Sequence, residues 1–142
     1  MSDAEMMKLY SGRILELASD IPHLGRLAAP QATVRKRSPL CGSVVTVDLV
    51  MKDGKVAEFA QDVKACALGQ AAAAVVGRAV LGRSLAELQT GRDGLRAMLA
   101  GGPVPPAPFD GFAALEPARD FRNRHASILL AIEAATEAAE SA

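Results

Sequence analysis

The sequence contains no tryptophan, one tyrosine and four phenylalanines in 142 residues, although 50% of its residues are hydrophobic. Its core must therefore be built from Ala, Val, Leu and Ile. Aromatic platforms on which nucleic-acid bases could stack are scarce. Sixteen basic residues are balanced by sixteen acidic ones, which removes the positive field that a protein uses to grip phosphates. These shortages argue against a nucleic-acid partner.

Long apolar runs are also missing, because no stretch reaches the roughly 18 to 20 residues needed to span a bilayer. The start of the chain, "MSDAEMMKLYSGRILELASD", carries acidic residues early and lacks the basic and apolar segments of a secretion signal. We therefore expect a cytoplasmic protein with no membrane contact. Its two cysteines are expected to be reduced thiols in that compartment. The length predicts one domain over residues 1–142.

The apolar pattern predicts an α+β fold, in which a small antiparallel three-stranded sheet packs against helices. A first short strand is expected within residues 26–38. The β-branched run at 43–51, the Asp-Gly pair of "KDGK" at 52–55 and the run at 56–63 predict a hairpin. Helices are predicted over residues 4–18, after Cys66, in a short piece starting at Ser84, and from about Pro117 to the late 130s. The Gly- and Pro-rich residues 99–111 predict a surface loop.

Two local features predict how the helices pack and begin. Gly69 and Gly77 each cost about 1 kcal/mol of helix propensity, so their presence indicates that another part of the chain approaches the helix closely. Ser84 and Glu87 have the spacing of a capping box, in which a hydroxyl and a carboxylate satisfy free amides at a helix start.

Cys41 and Cys66 are expected at the same end of the sheet, because the outer ends of two strands joined by a tight turn lie side by side. Amides at the start of the helix after Cys66, and the basic run 35–37 near Cys41, favour thiolate over thiol. Both cysteines are therefore candidate ligands for a metal or for sulfur. A second interpretation stays open, because a free cysteine often packs as a small hydrophobic residue, and two cysteines do not make a four-cysteine structural zinc site.

The remaining polar candidates are weaker. His125 lies in the basic run "FRNRH" near the start of the last helix, where a lone histidine is more often a surface or capping residue than a ligand. His23 lies in a loop and is expected to be structural or exposed. Ser43 has no nucleophile elbow around it and is expected to begin a strand. The residues identify no catalytic group, and we do not expect an enzyme.

Four pieces of the sequence resemble the scaffold proteins of iron–sulfur cluster assembly, the family of IscU, SufU and the N-terminal domain of NifU. They are "SPLCG" before a strand, "KDGKV" at the hairpin, "DVKACALGQAAAAVVG" and "LGRSLAEL". The resemblance extends from the first predicted helix to the last. It implies an α+β fold with the ligand cysteines at one exposed end, which agrees with the fold that the apolar pattern predicts.

The resemblance also implies a site and partners. It implies the metal ligands Cys41, Cys66 and His125, with the two cysteines binding a 2Fe–2S cluster or iron, or zinc instead. The sequence departs from the family at two positions, because Ser43 stands where an aspartate is common and Ala126 where a third cysteine is usual. A homodimer could supply the missing ligands. The implied partners are a cysteine desulfurase, which donates sulfur, and iron–sulfur acceptor proteins.

Two alternatives to a cluster-assembly scaffold stay open. A relative that kept the fold but lost cluster assembly would act as a protein-interaction module, and the two departures are the changes that such drift would produce. The Gly- and Pro-rich segment between Cys66 and Ala126 resembles the insertion of the SufU-type branch, which implies a zinc-dependent sulfur acceptor. The "LPPVK"-like chaperone-recognition motif of the IscU-type branch is absent from the sequence.

Overall fold

The computed structural model of the protein describes residues 12–142. Helix α1 (Gly12–Ala18) is followed by strands β1 (Ala32–Arg37), β2 (Val44–Lys52) and β3 (Lys55–Lys64), then by helices α2 (Ala67–Ala79) and α3 (Leu85–Leu99), a 3₁₀ segment (Asp110–Asp120) and helix α4 (Arg122–Ser141). The predicted α+β fold with a three-stranded antiparallel sheet is confirmed. Residues 4–11 of the predicted first helix lie outside the described residues.

The sheet has the strand order β1-β2-β3, and its hairpin forms as predicted. Asp53 and Gly54 join β2 to β3 with φ angles of 53° and 76°, which suit a two-residue turn between twisted strands. At the other end of the hairpin Val44 pairs with Lys64. The segment that holds Cys41 and the segment that holds Cys66 therefore emerge side by side, as the sequence predicted.

Helix α4 packs on β1 and β2 and also contacts α2 and α3. Val45, Val47 and Leu49 of β2 are at most 1% exposed, and their alternation marks the inner face of the sheet. The alanines at 71–74 of α2 are fully buried, and their small side chains allow α2 and α4 to pack closely. In the described part of the chain, no helix combines the length and the hydropathy needed to cross a membrane.

The outer face of β2 carries a buried carboxylate, Asp48. It accepts hydrogen bonds from Arg26 Nε at 2.6 Å, Thr33 Oγ1 at 2.6 Å and Leu27 N at 3.1 Å. The hydrogen bond from the Arg26 guanidinium, despite the opposing effect of burial, holds the pKa of this carboxyl below its ordinary value. Asp48 thereby fastens the loop between α1 and β1 over the sheet.

Two segments after the sheet differ from the sequence-based expectation. The capping box is present, with Glu87 N donating to Ser84 Oγ at 3.2 Å and Ser84 N donating to Glu87 Oε1 at 3.1 Å. The helix that it starts has 15 residues and is not short. The last helix begins at Arg122 and not near Pro117, because Pro117 lies in the 3₁₀ segment. The predicted surface loop at 99–111 does break the helices, but it also buries Phe109 in the core, so it is more than a surface loop.

Candidate metal centre

Cys41 lies in a turn between β1 and β2. Gly42 N donates to Ser38 O at 3.0 Å, and Ser38 N donates to Ser43 O at 2.8 Å. Gly42 has a φ angle of 71°, which glycine adopts without the penalty that a side chain would bring. The turn leaves the Cys41 side chain exposed, next to Leu40, which is 72% exposed. The first thiol is therefore accessible to solvent and to a partner protein.

Two buried serines connect the two thiols. Cys41 Sγ lies 3.1 Å from Ser43 Oγ, and Ser127 Oγ donates to Ser43 Oγ at 3.0 Å. Cys66 Sγ lies 3.4 Å from Ser127 Oγ. Ser43 is 4% exposed and Ser127 is 1% exposed. We call Cys41, Ser43, Ser127 and Cys66 the thiol–serine cluster, which runs from an exposed thiol through buried hydroxyls to a half-buried thiol.

Helix α2 brings Cys66 to this cluster. Cys66 is the residue that caps the start of α2, and its side chain makes no capping hydrogen bond. Within the first turn of α2, a Cβ atom on Gly69 would lie 2.7 Å from Ser127 Oγ and 2.8 Å from Ala65 Cβ. A Cβ atom on Gly77 would lie 3.0 Å from Gln61 Nε2. The close approach that both glycines predicted is confirmed.

Hydroxyl groups set the acidity of the Cys41 thiol. Burial raises its pKa, but hydrogen bonds with Ser38 and Ser43 outweigh that effect and lower the pKa to about 7. Cys41 Sγ donates to Ser38 Oγ at 3.3 Å when protonated, and the same hydroxyl can donate to the thiolate. The sequence suggested that the basic run 35–37 lowers this pKa, but the hydrogen bonds with the serines lower it instead. A large share of Cys41 is therefore thiolate at neutral pH.

We expect iodoacetamide to alkylate Cys41 with a rate that reaches half its maximum near the thiol pKa of about 7, because the thiolate is the nucleophile. Mass spectrometry of the Cys41 peptide across a pH series measures this rate. Ser43→Ala should shift the midpoint upward, because the thiolate loses a hydrogen-bond donor. Ser141→Ala, which removes a hydroxyl bonded only to Glu137 O of its own helix, should leave it unchanged. A wild-type midpoint at about pH 8.5, the pKa of an unperturbed cysteine, would contradict the expectation.

The structure does not bring His125 to the two thiols. Its Nε2 atom lies 3.0 Å from Ala118 O, and its ring lines a cavity of about 740 Å³ beside the start of α4. Ser127 follows two residues later, about 200° further around the helix, so it faces Cys66 while His125 faces elsewhere. The predicted set Cys41, Cys66 and His125 is not assembled. Over residues 12–142, no group of three or more His, Cys, Asp or Glu side chains is placed to hold a metal ion.

Ser127 is the site residue that the sequence did not reveal, and Ser43 was identified only as a departure from the family. Ser43 was expected to begin β2 but directly precedes it, and its hydroxyl contacts the Cys41 thiol. Ser127 stands directly after Ala126, at the position next to the lost cysteine, and this neighbourhood was its only signal in the sequence. His23 is exposed, as expected, and its ring meets Phe59 edge-on at 6.1 Å.

The described geometry thus comprises an exposed thiol of lowered pKa, a second thiol and two buried hydroxyls at one end of a small α+β fold. The family model described as the NifU-like N terminal domain matches residues 9–111. The chain belongs to this family, and the resemblance found in the sequence is confirmed.

Solved structures share the fold over nearly the whole chain. A nitrogen-fixing NifU-like protein (N-terminal) from Brucella abortus is 43% identical, with a TM-score of 0.93 and 96% of each chain covered. A protein from Fervidobacterium islandicum AW-1, described as an iron–sulfur cluster assembly scaffold for the SUF system, is 16% identical, with a TM-score of 0.83 over 93% of this chain and 97% of that chain. At that identity the similarity shows the fold alone. A comparison with curated protein sequences finds no match.

Proposed function

We propose that the protein is a scaffold or carrier in iron–sulfur cluster assembly that binds iron, zinc or a labile cluster through Cys41 and Cys66. Membership of the NifU-like family supports the general assignment. The observation that carries the proposal is the thiol–serine cluster, in which two hydroxyls link the thiols through contacts of 3.1, 3.0 and 3.4 Å. Thiolates are soft ligands of the kind that zinc and iron–sulfur clusters favour.

The ligand set of this chain favours weak binding and ready release. His125, which the resemblance implies as a third ligand, contacts the Ala118 carbonyl on another side of α4 and does not join the thiols. Ser43 and Ala126 provide neither a carboxylate nor a thiolate. A scaffold has to give up its cargo to an acceptor protein, and a site with few charged ligands suits that task.

Cys41 is suited to take sulfur from a cysteine desulfurase. Its thiol is exposed and has a pKa of about 7, so a thiolate is available at neutral pH. That thiolate attacks the terminal sulfur of the desulfurase persulfide, a new S–S bond forms at Cys41 Sγ, and the old S–S bond breaks with its electron pair leaving on the donor cysteine. The exposed side chain of Leu40 offers the partner an apolar contact beside the thiol.

Anaerobic reconstitution with ferrous iron and sulfide tests the proposal. We expect the wild type to gain bound iron and visible sulfur-to-iron charge-transfer bands. Cys41→Ser and Cys66→Ser should each lose most of both, because each removes one of two thiolate ligands. Ser141→Ala, an exposed control, should behave as the wild type. If the wild type and both cysteine variants show the same absence of bands and of bound metal, the scaffold proposal is wrong.

Binding to a cysteine desulfurase separates the proposal from its alternatives. Capture of the desulfurase that requires Cys41 supports sulfur transfer to this thiol. Capture that survives replacement of both cysteines, by a chain that holds no metal, would instead support an interaction module. Zinc-dependent stimulation of desulfurase turnover would support the sulfur acceptor of the SufU type, and its absence would remove that alternative.

A further inference from the structure

The proposed function leaves the metal short of ligands, since Cys41 and Cys66 fill only two positions of a four-coordinate site. No His, Asp or Glu in the described part of the chain completes a group with them. The hydroxyl oxygens of Ser43 and Ser127 lie in contact with the thiols, at 3.1 Å from Cys41 Sγ and 3.4 Å from Cys66 Sγ. We infer that Ser43 and Ser127 are the oxygen ligands of a two-thiolate, two-oxygen site for a divalent metal such as ferrous iron or zinc. This inference rests on the proposed function.

The three consecutive contacts of the thiol–serine cluster are close to the spacing of neighbouring metal ligands. Metal–sulfur distances of about 2.3 Å and metal–oxygen distances of about 2.0–2.2 Å separate neighbouring ligands of a tetrahedral site by roughly 3.3–3.7 Å. The separations along the thiol–serine cluster are 3.1, 3.0 and 3.4 Å. Each contact would have to open by roughly half an ångström or less to exchange a bridging hydrogen for a metal.

Charge also favours neutral oxygen ligands at these positions. Two thiolates already balance the charge of a divalent ion. Ser43 and Ser127 are 4% and 1% exposed, and hydroxyl ligands at these buried positions would leave a site of two thiolates and a divalent ion with no net charge. A hydroxyl fills the position without adding charge. The resulting mixture of soft sulfur and harder oxygen donors suits borderline divalent ions.

Ser38 offers a matched comparison in the same turn. Its hydroxyl also contacts Cys41 Sγ, at 3.3 Å, and is fully buried. Among the described residues, the only hydroxyl or thiol group that the Ser38 hydroxyl contacts is Cys41. Ser38 is therefore not part of the thiol–serine cluster. Ser38→Ala therefore removes a hydrogen bond to Cys41 without removing an inferred ligand.

Cobalt(II) titration under reducing, oxygen-free conditions tests the inference, because Co²⁺ replaces zinc and its charge-transfer absorption counts bound thiolates. We expect Ser43→Ala and Ser127→Ala each to weaken Co²⁺ binding at least 10-fold, since loss of an outer-shell partner alone costs about 10–100-fold. The charge-transfer intensity at saturation should stay that of two thiolates. His125→Ala should bind as the wild type does, and Ser38→Ala, which removes a hydrogen bond to Cys41 but no inferred ligand, should weaken binding less than either ligand variant. Circular dichroism checks that every variant is folded.

Ser127→Cys gives a readout that packing alone would not produce. If position 127 is a ligand, the variant should bind Co²⁺ more tightly, and its charge-transfer intensity should rise from that of two thiolates to that of three. Wild-type affinity in Ser43→Ala and Ser127→Ala, with no added intensity in Ser127→Cys, would overturn the inference and leave the proposed function intact. A wild type that binds neither Co²⁺ nor iron would overturn the proposed function itself.

Discussion

Replacement of Phe109 by alanine is expected to lower the free energy of unfolding by about 3–5 kcal/mol, the usual loss when a buried aromatic side chain is truncated. Phe109 is 2% exposed and stacks on Phe112 with ring centroids 6.1 Å apart and an angle of 13° between the rings. It holds the segment after α3 against that helix, so its loss leaves a cavity and loosens the 3₁₀ segment. Urea unfolding followed by far-ultraviolet circular dichroism measures the change.

Gly91 of α3 supplies the control for this prediction. A Cβ atom on Gly91 would lie 2.6 Å from Cδ2 of the Phe109 ring, so Gly91→Ala alone should destabilise the protein by overpacking, although alanine is the better helix former. Phe109→Ala removes the clash. The double variant should therefore be more stable than the sum of the two single changes predicts. Strictly additive losses would show that the two residues do not interact in this way.

The position of Phe109 in the core could not be predicted from the sequence. The Gly- and Pro-rich composition of residues 99–111 correctly predicted a break between helices, because neither residue favours a continuing helix. Composition does not show that a phenylalanine at the end of the break fits over a glycine 18 residues earlier. The hairpin turn at Asp53 and the cap at Ser84 were predictable because their geometry depends on residues only a few positions apart.

One part of the candidate site could likewise be predicted from the sequence, and another part could not. The meeting of Cys41 and Cys66 at one end of the sheet follows from strand pairing, and the sequence predicted it. The link between them does not follow, because Ser127 is 84 residues from Ser43 and reaches it only through the packing of α4. The resemblance pointed to His125, but the rotational setting of α4 turns Ser127 toward the thiols instead. That setting depends on the whole core.

Gly69→Val is expected to disturb stability and site together, with a loss of about 3 kcal/mol in the free energy of unfolding, at the upper end of the cost of overpacking. Valine is a somewhat better helix former than glycine, so a loss of stability reports on packing. The new Cβ atom would lie 2.7 Å from Ser127 Oγ and 2.8 Å from Ala65 Cβ. Relief of the contact with Ser127 requires α2 and α4 to separate, which pulls Ser127 away from Cys66. Urea unfolding measures the stability and Co²⁺ titration measures the site.

Gly77→Val separates these two effects, because it makes the same change in the same helix at a distance from the thiols. A Cβ atom on Gly77 would lie 3.0 Å from Gln61 Nε2 and 3.1 Å from Pro22 O, so this variant should also lose stability. Its Co²⁺ affinity and its Cys41 alkylation profile should match the wild type, because Ser127 keeps its place. Weakened Co²⁺ binding in Gly69→Val alone would tie metal affinity to the approach of α2 toward Ser127. Equal weakening in both variants would mean that metal binding follows global stability, and that the bare Cα atom at Gly69 has no special role in the site.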